Sequence, residues 1–446
     1  MSQPLLPEPL RSLLAWFAPL FTAPSFSYFQ QWVVVMMLGE GRKCATTVFS
    51  HSPRERHFTN YSRFLSRYRW GWEDLAGALT CLLAATLPFA QGRAGKRRIY
   101  LALDDTLVAK SGRRQPGIGY HFQPNSNHGG RFVRGHCWVV LGALFWLGRR
   151  ALCFPLTAAL YVRAADCPHP GDFQDKISLA LSLLDRLRWP GQAALTVVAD
   201  GAYAVRRFLG GARERGVGII TRLKSNAKVH LPLAPEARRG RGRPRKYGPR
   251  VDLRVWAEAA GHLQAVTLRL YGQPVRLELG CLEVVPAVFG ELARVVVVRF
   301  PNHPLVVLMS SERSLSAREI VQRYAARFAI EIVFRELKQR FGVSDYQVRS
   351  REAILRHVHL SFVACSLLQA LLVALTLRKA KALLALLAQP WRDPRRPLTV
   401  GQTRLLLQQL LALEGIFSSS APKHFSRKTH LGHLRAAFAG PKCAKP

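Results

Sequence analysis

The sequence predicts an α/β protein whose mixed-sheet core is interrupted by a β-rich insertion, with a helical domain before it and a helical tail after it. Three observations lead there. Between residues 96 and 226, short apolar runs that end in acids (IYLALDD, LTVVADGAY) alternate with amphipathic stretches. Residues 227–316 lose the helical spacing and show strand-like alternation, as in LQAVTLRLYG and PVRLELG. Both ends of the chain return to helical spacing of apolar residues.

In chain order, residues 1–95 read as a helical domain, with LRSLLAWFAPLF and EDLAGALTCLLAATL as its clearest amphipathic segments. The stretch between them is basic and aromatic, a mixture that suits DNA contact because cations meet phosphates while rings cover apolar surface, and that suits a helical oligomerisation or packing unit nearly as well. Residues 96–226 form the first part of the core. IYLALDD is a buried strand with carboxylates at its C-terminal end, followed by a Gly- and Asn-rich loop over 111–130. CWVVLGALFW and CFPLTAALYV are two further strands joined by the turn LGRR, and DFQDKISLALSLLDRL is a helix with Asp172 as its N-cap. LTVVADGAY is the next buried strand, then come a basic helix (Val205 to Arg215) and the strand VGIITRL. The order is three strands, helix, strand, helix, strand. It matches a ribonuclease H-like mixed sheet, in which two strand-end acids can be brought together.

The β-rich insertion, 227–316, opens on the basic loop RRGRGRPRKYGPR. Core residues 317–378 begin with a helix predicted over 317–341, opened by the capping box Ser316/Glu319 and closed by Gly342. Residues 360–377 are uncharged and about long enough to span a bilayer, but their Ser, Gln and Thr and the lack of a second such run favour a buried core helix. Residues 379–446 read as a helical, basic tail.

Charge narrows the partner. Lys and Arg number 65 against 27 Asp and Glu, a net charge of +38, and that self-repulsion is most simply relieved by a polyanion. Nucleic acid leads and an anionic membrane surface follows. A ribosomal or chromatin packing protein is as basic, so charge alone does not make an enzyme. The eight cysteines form no CxxC pair or zinc-ligand spacing, and Cys167 with His169 lacks companions. Together with an N-terminus lacking the order of a signal peptide, this predicts a cytoplasmic protein.

The chemistry concentrates in 317–341. Tyr324, Arg327, Glu331, Arg335 and Lys338 fall within an arc of about 80° on a continuous helix, while Glu336 projects elsewhere. The flanking Phe328, Ile330, Val333 and Phe334 lie off that arc and can anchor the helix in the core. Tyr324-x2-Arg327-x3-Glu331-x6-Lys338 resembles the motif around the third acid of DDE transposases of the insertion-sequence-4 group, and is most similar to their insertion-sequence-701-like members. Asp104-Asp105-Thr106 and Asp200-Gly201-Ala202-Tyr203 appear upstream in the family's order, and the gap to Glu331 resembles that of relatives with a β-rich insertion.

The resemblance implies that Asp105, Asp200 and Glu331 are catalytic and hold two Mg²⁺ ions, for which Mn²⁺ can substitute. It places Asp105 rather than Asp104 as the first ligand because relatives have it immediately before Thr, with Asp104 left to cap the loop or accept a hydrogen bond behind the ligands. Arg327, Lys338 and Arg335 would grip phosphates and Tyr324 a phosphate or sugar. Arg241, Arg243, Arg245 and Lys246 form an AT-hook-like RGRPRK stretch, readable as a minor-groove contact or as a basic loop on phosphates. The loop histidines His121 and His128 lack neighbours for a metal site, and His136 and Trp138 read as packing residues. The implied activity is cleavage and strand transfer of double-stranded DNA at terminal inverted repeats (cut-and-paste transposition), by a homodimer in the synaptic complex. The alternatives are a catalytically silent, DNA-binding descendant and a different metal-dependent nuclease on the same fold.

Overall fold

The computed structural model describes residues 8–52, 57–90, 97–112, 114–123, 131–233, 246–377 and 398–413. Of the AT-hook-like stretch, Arg241, Arg243 and Arg245 lie outside these residues, as does His128; Lys246 lies within them.

Among the described residues the N-terminal segment forms five α-helices, α1 (Glu8–Ala15), α2 (Ala23–Leu38), α3 (Ala45–Ser50), α4 (Thr59–Ser66) and α5 (Trp72–Thr86). Many of its rings pack inside: Phe29, Trp32, Tyr61 and Phe64 are buried, and Phe64 stacks on Trp70 with centroids 5.0 Å apart, while Trp16 and Phe58 stay exposed. This segment shares one hydrophobic core with the rest of the protein. The joint is α11 (Arg351–Leu377), which packs on α2, α4, α5 and strand β4 (Arg150–Tyr161). Arg356 of α11 donates to the Leu65 and Trp70 carbonyls, and His357 sits edge-on to Trp32. Burial of its apolar window explains the composition of α11: 83% of that window lies inside the protein.

The core sheet follows from strand composition. β1 (Arg98–Ala109) and β5 (Ala194–Ala199) are near-continuous apolar runs because both lie in the sheet interior, parallel and side by side, with Leu103 paired to Ala199. On the other side of β1 lies antiparallel β3 (Arg131–Leu147), which pairs along its far edge with β2 (Gly119–Gln123) and β4. The β3–β4 turn has Gly148 at φ 60°, a conformation suited to the first position of a tight hairpin turn. β6 (Gly218–Leu223) continues the parallel set beside β5. Helices α6 (Lys176–Arg186) and α7 (Arg206–Glu214) pack on each other.

Three expectations change here. β1 does not end at its acids; it runs on to Ala109, still paired with β3, and only its β5 neighbour stops at Leu103. The N-cap of α6 is Asp175, whose carboxylate accepts from the Ser178 amide, while Asp172 lies in a preceding 3₁₀ turn. The insertion is not a separate β unit. Its strands β9 (Gln264–Leu270), β10 (Gln273–Pro286), β11 (Ala293–Arg299) and β12 (Val306–Ser310) extend the core sheet, because β12 pairs antiparallel with β6. Two short strands, β7 (Val229–His230) and β8 (Arg250–Val251), and the six-residue helix α8 (Leu253–Glu258) complete this region.

The predicted helix over 317–341 is two helices, α9 (Ala317–Ala326) and α10 (Ala329–Gln339). Arg327 and Phe328 keep helical dihedrals, but the amides of Arg327, Phe328, Ile330 and Glu331 bond three residues back, so the turn tightens to 3₁₀ geometry. The capping box of Ser316 and Glu319 is present, and Gly342 ends the segment at φ 66°. Helix α12 (Val400–Leu413) lies against α11 and α2.

Candidate active site

The parallel pairing of β1 with β5 fixes the site. Asp104 and Asp200 each directly follow the last residues paired between β1 and β5, Leu103 and Ala199, so the two acids stand at the same level, Asp104 within β1 and Asp200 just past the end of β5. Thr221 of β6 donates to the Asp200 carbonyl and holds that strand end in place. The α9–α10 pair lies over this point. Tyr324 donates its hydroxyl to Asp200 Oδ1 at 3.4 Å, and Arg327 spans Asp104 and Glu331, reaching Glu331 Oε1 at 3.1 Å. Asp104, Asp200, Tyr324, Arg327 and Glu331 therefore form one cluster from four elements, β1, the end of β5, α9 and α10.

Sequence reasoning favoured Asp105 as the first acid, but the structure brings Asp104 into this cluster. Neighbouring residues on a strand face opposite ways. Asp105 turns to the α6 side, where Lys176 Nζ is 2.5 Å from Oδ2 and the Cys137 thiol 3.7 Å. Thr106 shares the Asp104 face and lines a small gap with Trp138, Phe334 and the stem of Lys338. Of the remaining expected residues, Arg335 and Lys338 are exposed on α10, and Glu336 turns away to pair with Arg340 at 2.6 Å. Lys246 lies away from the cluster, beside the Tyr247 ring. His136 packs as predicted, bonded to the Tyr346 hydroxyl at 2.6 Å.

Phe328 does not anchor α10. It is 44% exposed and meets the ring of Tyr271 edge-on at 5.5 Å. Tyr271 and Gly272 form the two-residue turn between β9 and β10, both with positive φ, which carries the insertion to the rim of the cluster. Sequence reasoning missed Tyr271 and Lys176; the YG step between two alternating runs was the one local signal for the turn.

The electrostatics are those of carboxylates gathered under cations. Burial pushes the Asp104 carboxyl up to about 6, against the pull of Arg327. Burial likewise pushes the Tyr324 phenol up to about 12, so at neutral pH it is a hydrogen-bond donor. Burial raises the Cys137 thiol to about 12, which leaves it unreactive.

The donor chemistry fits a hard divalent cation, since Asp104, Asp200 and Glu331 offer only carboxylate oxygens. The guanidinium of Arg327 stands between two of them and supplies the positive charge there. In this arrangement no three acids, histidines or cysteines among the described residues stand close enough to hold a metal ion.

No protein of curated function matches the chain in sequence. A solved structure described as a piggyBac transposase synaptic complex with hairpin DNA aligns over 98% of this chain and 83% of its own. At 12% identity and a TM-score of 0.39 that likeness is too weak to build on. The sequence pattern of the DDE superfamily endonucleases, by contrast, matches residues 17–274, more than half of the chain, and spans Asp104 and Asp200 while stopping short of Glu331. The chain belongs to the DDE superfamily endonucleases.

Proposed function

We propose that this protein is a DDE transposase of the insertion-sequence-4 type, which binds the terminal inverted repeats of its own element, cleaves there and joins the freed 3′ ends to target DNA. The observation that carries this reading is the convergence of Asp104 and Asp200, from parallel neighbouring strands, with Tyr324, Arg327 and Glu331 of the helical motif. The +38 charge supports a DNA partner, and the strand order around β1 agrees with a ribonuclease H-like core.

In this reading Asp104, Asp200 and Glu331 hold the divalent ions, two Mg²⁺ by the family pattern. Ions held there would lower the pKa of water or of a 3′-hydroxyl and stabilise the leaving oxygen. The protein's own groups do the rest. Arg327, whose planar fork bridges Asp104 and Glu331 in this structure, would grip a phosphate beside the ions that those carboxylates would hold. Arg335 and Lys338, exposed on the same helix, hold neighbouring phosphates and set the scissile bond in register. Tyr324, protonated at neutral pH, keeps Asp200 oriented through its hydroxyl. Synapsis of two DNA ends calls for a homodimer, acting in the cytoplasm on the nucleoid.

The test is Mg²⁺-dependent cleavage and joining of DNA carrying the element's flanking ends, with wild type beside Asp200→Ala and Glu331→Ala and with DNA binding measured in parallel. Cleavage and joining by wild type, with binding alone retained by both variants, supports the proposal. Wild type that binds the ends and never cuts would instead identify a silent, DNA-binding descendant.

A further inference from the structure

We propose that the β2–β3 hairpin and the cleft beside it form a second nucleic-acid surface, outside the acid cluster, that takes an unpaired DNA strand with its bases on aromatic rings and its phosphates in the cleft. This rests on the DNA-binding reading above and adds a substrate class to it.

Two independent features meet there. The first is aromatic. Tyr120, Phe122 and Phe132 are 54%, 57% and 71% exposed, and the rings of Phe122 and Phe132 lie 5.5 Å apart. They share one face, because Tyr120 pairs with Arg134 and Phe122 with Phe132 across the two strands. Alternation along β3 continues that face through His136, against Tyr346, to Trp138, in the gap beside Thr106 and Lys338. Thr106 is two residues from Asp104 on β1, so the aromatic face prolongs the side of the sheet that carries the acid cluster.

The second feature is charge. A cleft of about 480 Å³ lies beside the hairpin, lined by Arg42 from the α2–α3 loop, Lys110 and Arg114 after β1, and Asp345, Tyr346 and Arg349 after α10. Arg134 links hairpin to cleft by donating to the Ser111 and Gly112 carbonyls, at 3.3 and 2.9 Å. Lys110 lies over the Tyr346 ring at 3.3 Å and donates to the Ser344 and Tyr346 carbonyls. Four cations thus line the cleft against one carboxylate, and among the described residues Arg42, Arg114 and Arg349 have no ion-pair partner.

A polyanion with flat apolar faces satisfies both features at once. A second copy of this chain would bring another strongly positive surface to the cleft. Fully paired DNA presents phosphates but keeps its base faces stacked on one another, so exposed phenyl rings gain little from it. An unpaired strand offers both, and each base stacked on an aromatic ring strengthens binding severalfold to a hundredfold.

The experiment measures fluorescence anisotropy in EDTA, which removes cleavage, with a blunt duplex and the same duplex carrying a short unpaired tail. Proteins are wild type, Phe122→Leu/Phe132→Leu, Phe122→Trp/Phe132→Trp and Arg42→Ala/Arg114→Ala/Arg349→Ala, each checked for an unchanged thermal transition. The expected result is tighter wild-type binding to the tailed duplex, a preference lost at least fivefold in the leucine variant and kept in the tryptophan one. The triple arginine variant should show a salt dependence shallower by about two to three charges. A leucine variant that keeps the preference overturns the proposal, as does a wild type without it. Loss of a wild-type dimer in the leucine variant, with DNA binding unchanged, would assign the rings to a subunit contact and also overturns it. Wild type that binds neither DNA refutes the underlying DNA-binding reading instead.

Discussion

Replacing Arg327 by glutamine should destabilise the protein at pH 7 and hardly at all at pH 5. Arg327 and Asp104 have side chains only 13% and 17% exposed, so their pair is shielded from solvent. Its second pair, with Glu331, is 42% exposed at the glutamate, one helical turn away, and contributes only about 0.3–0.5 kcal/mol. Removing one partner from a buried pair can cost about 3–5 kcal/mol, but Asp104 has an escape, because it can take up a proton. Burial already holds its carboxyl at about 6, so protonating it at pH 7 costs about 1.4 kcal/mol, and that caps the loss. The two contributions give about 2 kcal/mol at pH 7. Asp104 is already mostly protonated at pH 5, and the difference should shrink to about 0.5 kcal/mol. Urea unfolding of both proteins at the two pH values measures this. Equal destabilisation at pH 5 and pH 7, or none at pH 7, would refute the view that Arg327 holds a desolvated Asp104 carboxylate.

Other outcomes follow from the same structure. Gly342→Ala should cost about 2 kcal/mol or more in chemical denaturation, since φ is 66° and an added Cβ would meet Lys43 Cβ and Cγ at 2.3 Å. Burial pushes His136, His357 and His359 down to about 4, so the folded state holds them neutral. Their contribution is complete above about pH 6.5 and is lost as pH falls from there towards 4, by up to about 1.4 kcal/mol per pH unit for each. His357→Asn should flatten the slope of unfolding free energy between pH 6 and 5 by about that amount, and an unchanged slope would show that His357 does not titrate on unfolding. Lys176→Met removes a pair whose side chains are 39% and 30% exposed, so thermal unfolding should change by less than about 1 kcal/mol.

Much of this was legible in the sequence because local rules agreed with the tertiary result. IYLAL and LTVVA read as interior strands because parallel strands covered on both faces carry no polar alternation. Ser316 with Glu319, and Gly342, marked the ends of the motif helices because their backbone demands are local. What stayed hidden depended on partners far along the chain. Asp104 and Asp105 differ only in which face of β1 they occupy, and that is settled by α9–α10 packing on one face and Lys176 on the other. Asp172 and Asp175 are equally good caps by type, and the start of α6 chose between them. The break at Arg327 involves no glycine or proline; Arg327 at that turn is drawn to Asp104, a tertiary partner that no periodicity reveals. The insertion joins the sheet through the pairing of β12 with β6, a non-local contact invisible to pattern. Which rings of the N-terminal segment face inward was also hidden: Tyr61 and Phe64 go into a core shared with α11, while Trp16 and Phe58 stay exposed.

The central claim is that Asp104, Asp200 and Glu331 act as one catalytic centre while Asp105 supports the strand from its other face. The most direct measurement is DNA cleavage with Mg²⁺ by Asp104→Asn and Asp105→Asn side by side, with DNA binding and thermal stability measured on the same preparations. Cleavage abolished in Asp104→Asn and retained in Asp105→Asn, with both variants folded and bound to DNA, is the predicted result. Cleavage abolished in Asp105→Asn and retained in Asp104→Asn would contradict it, and would move the centre to the Lys176 side of β1.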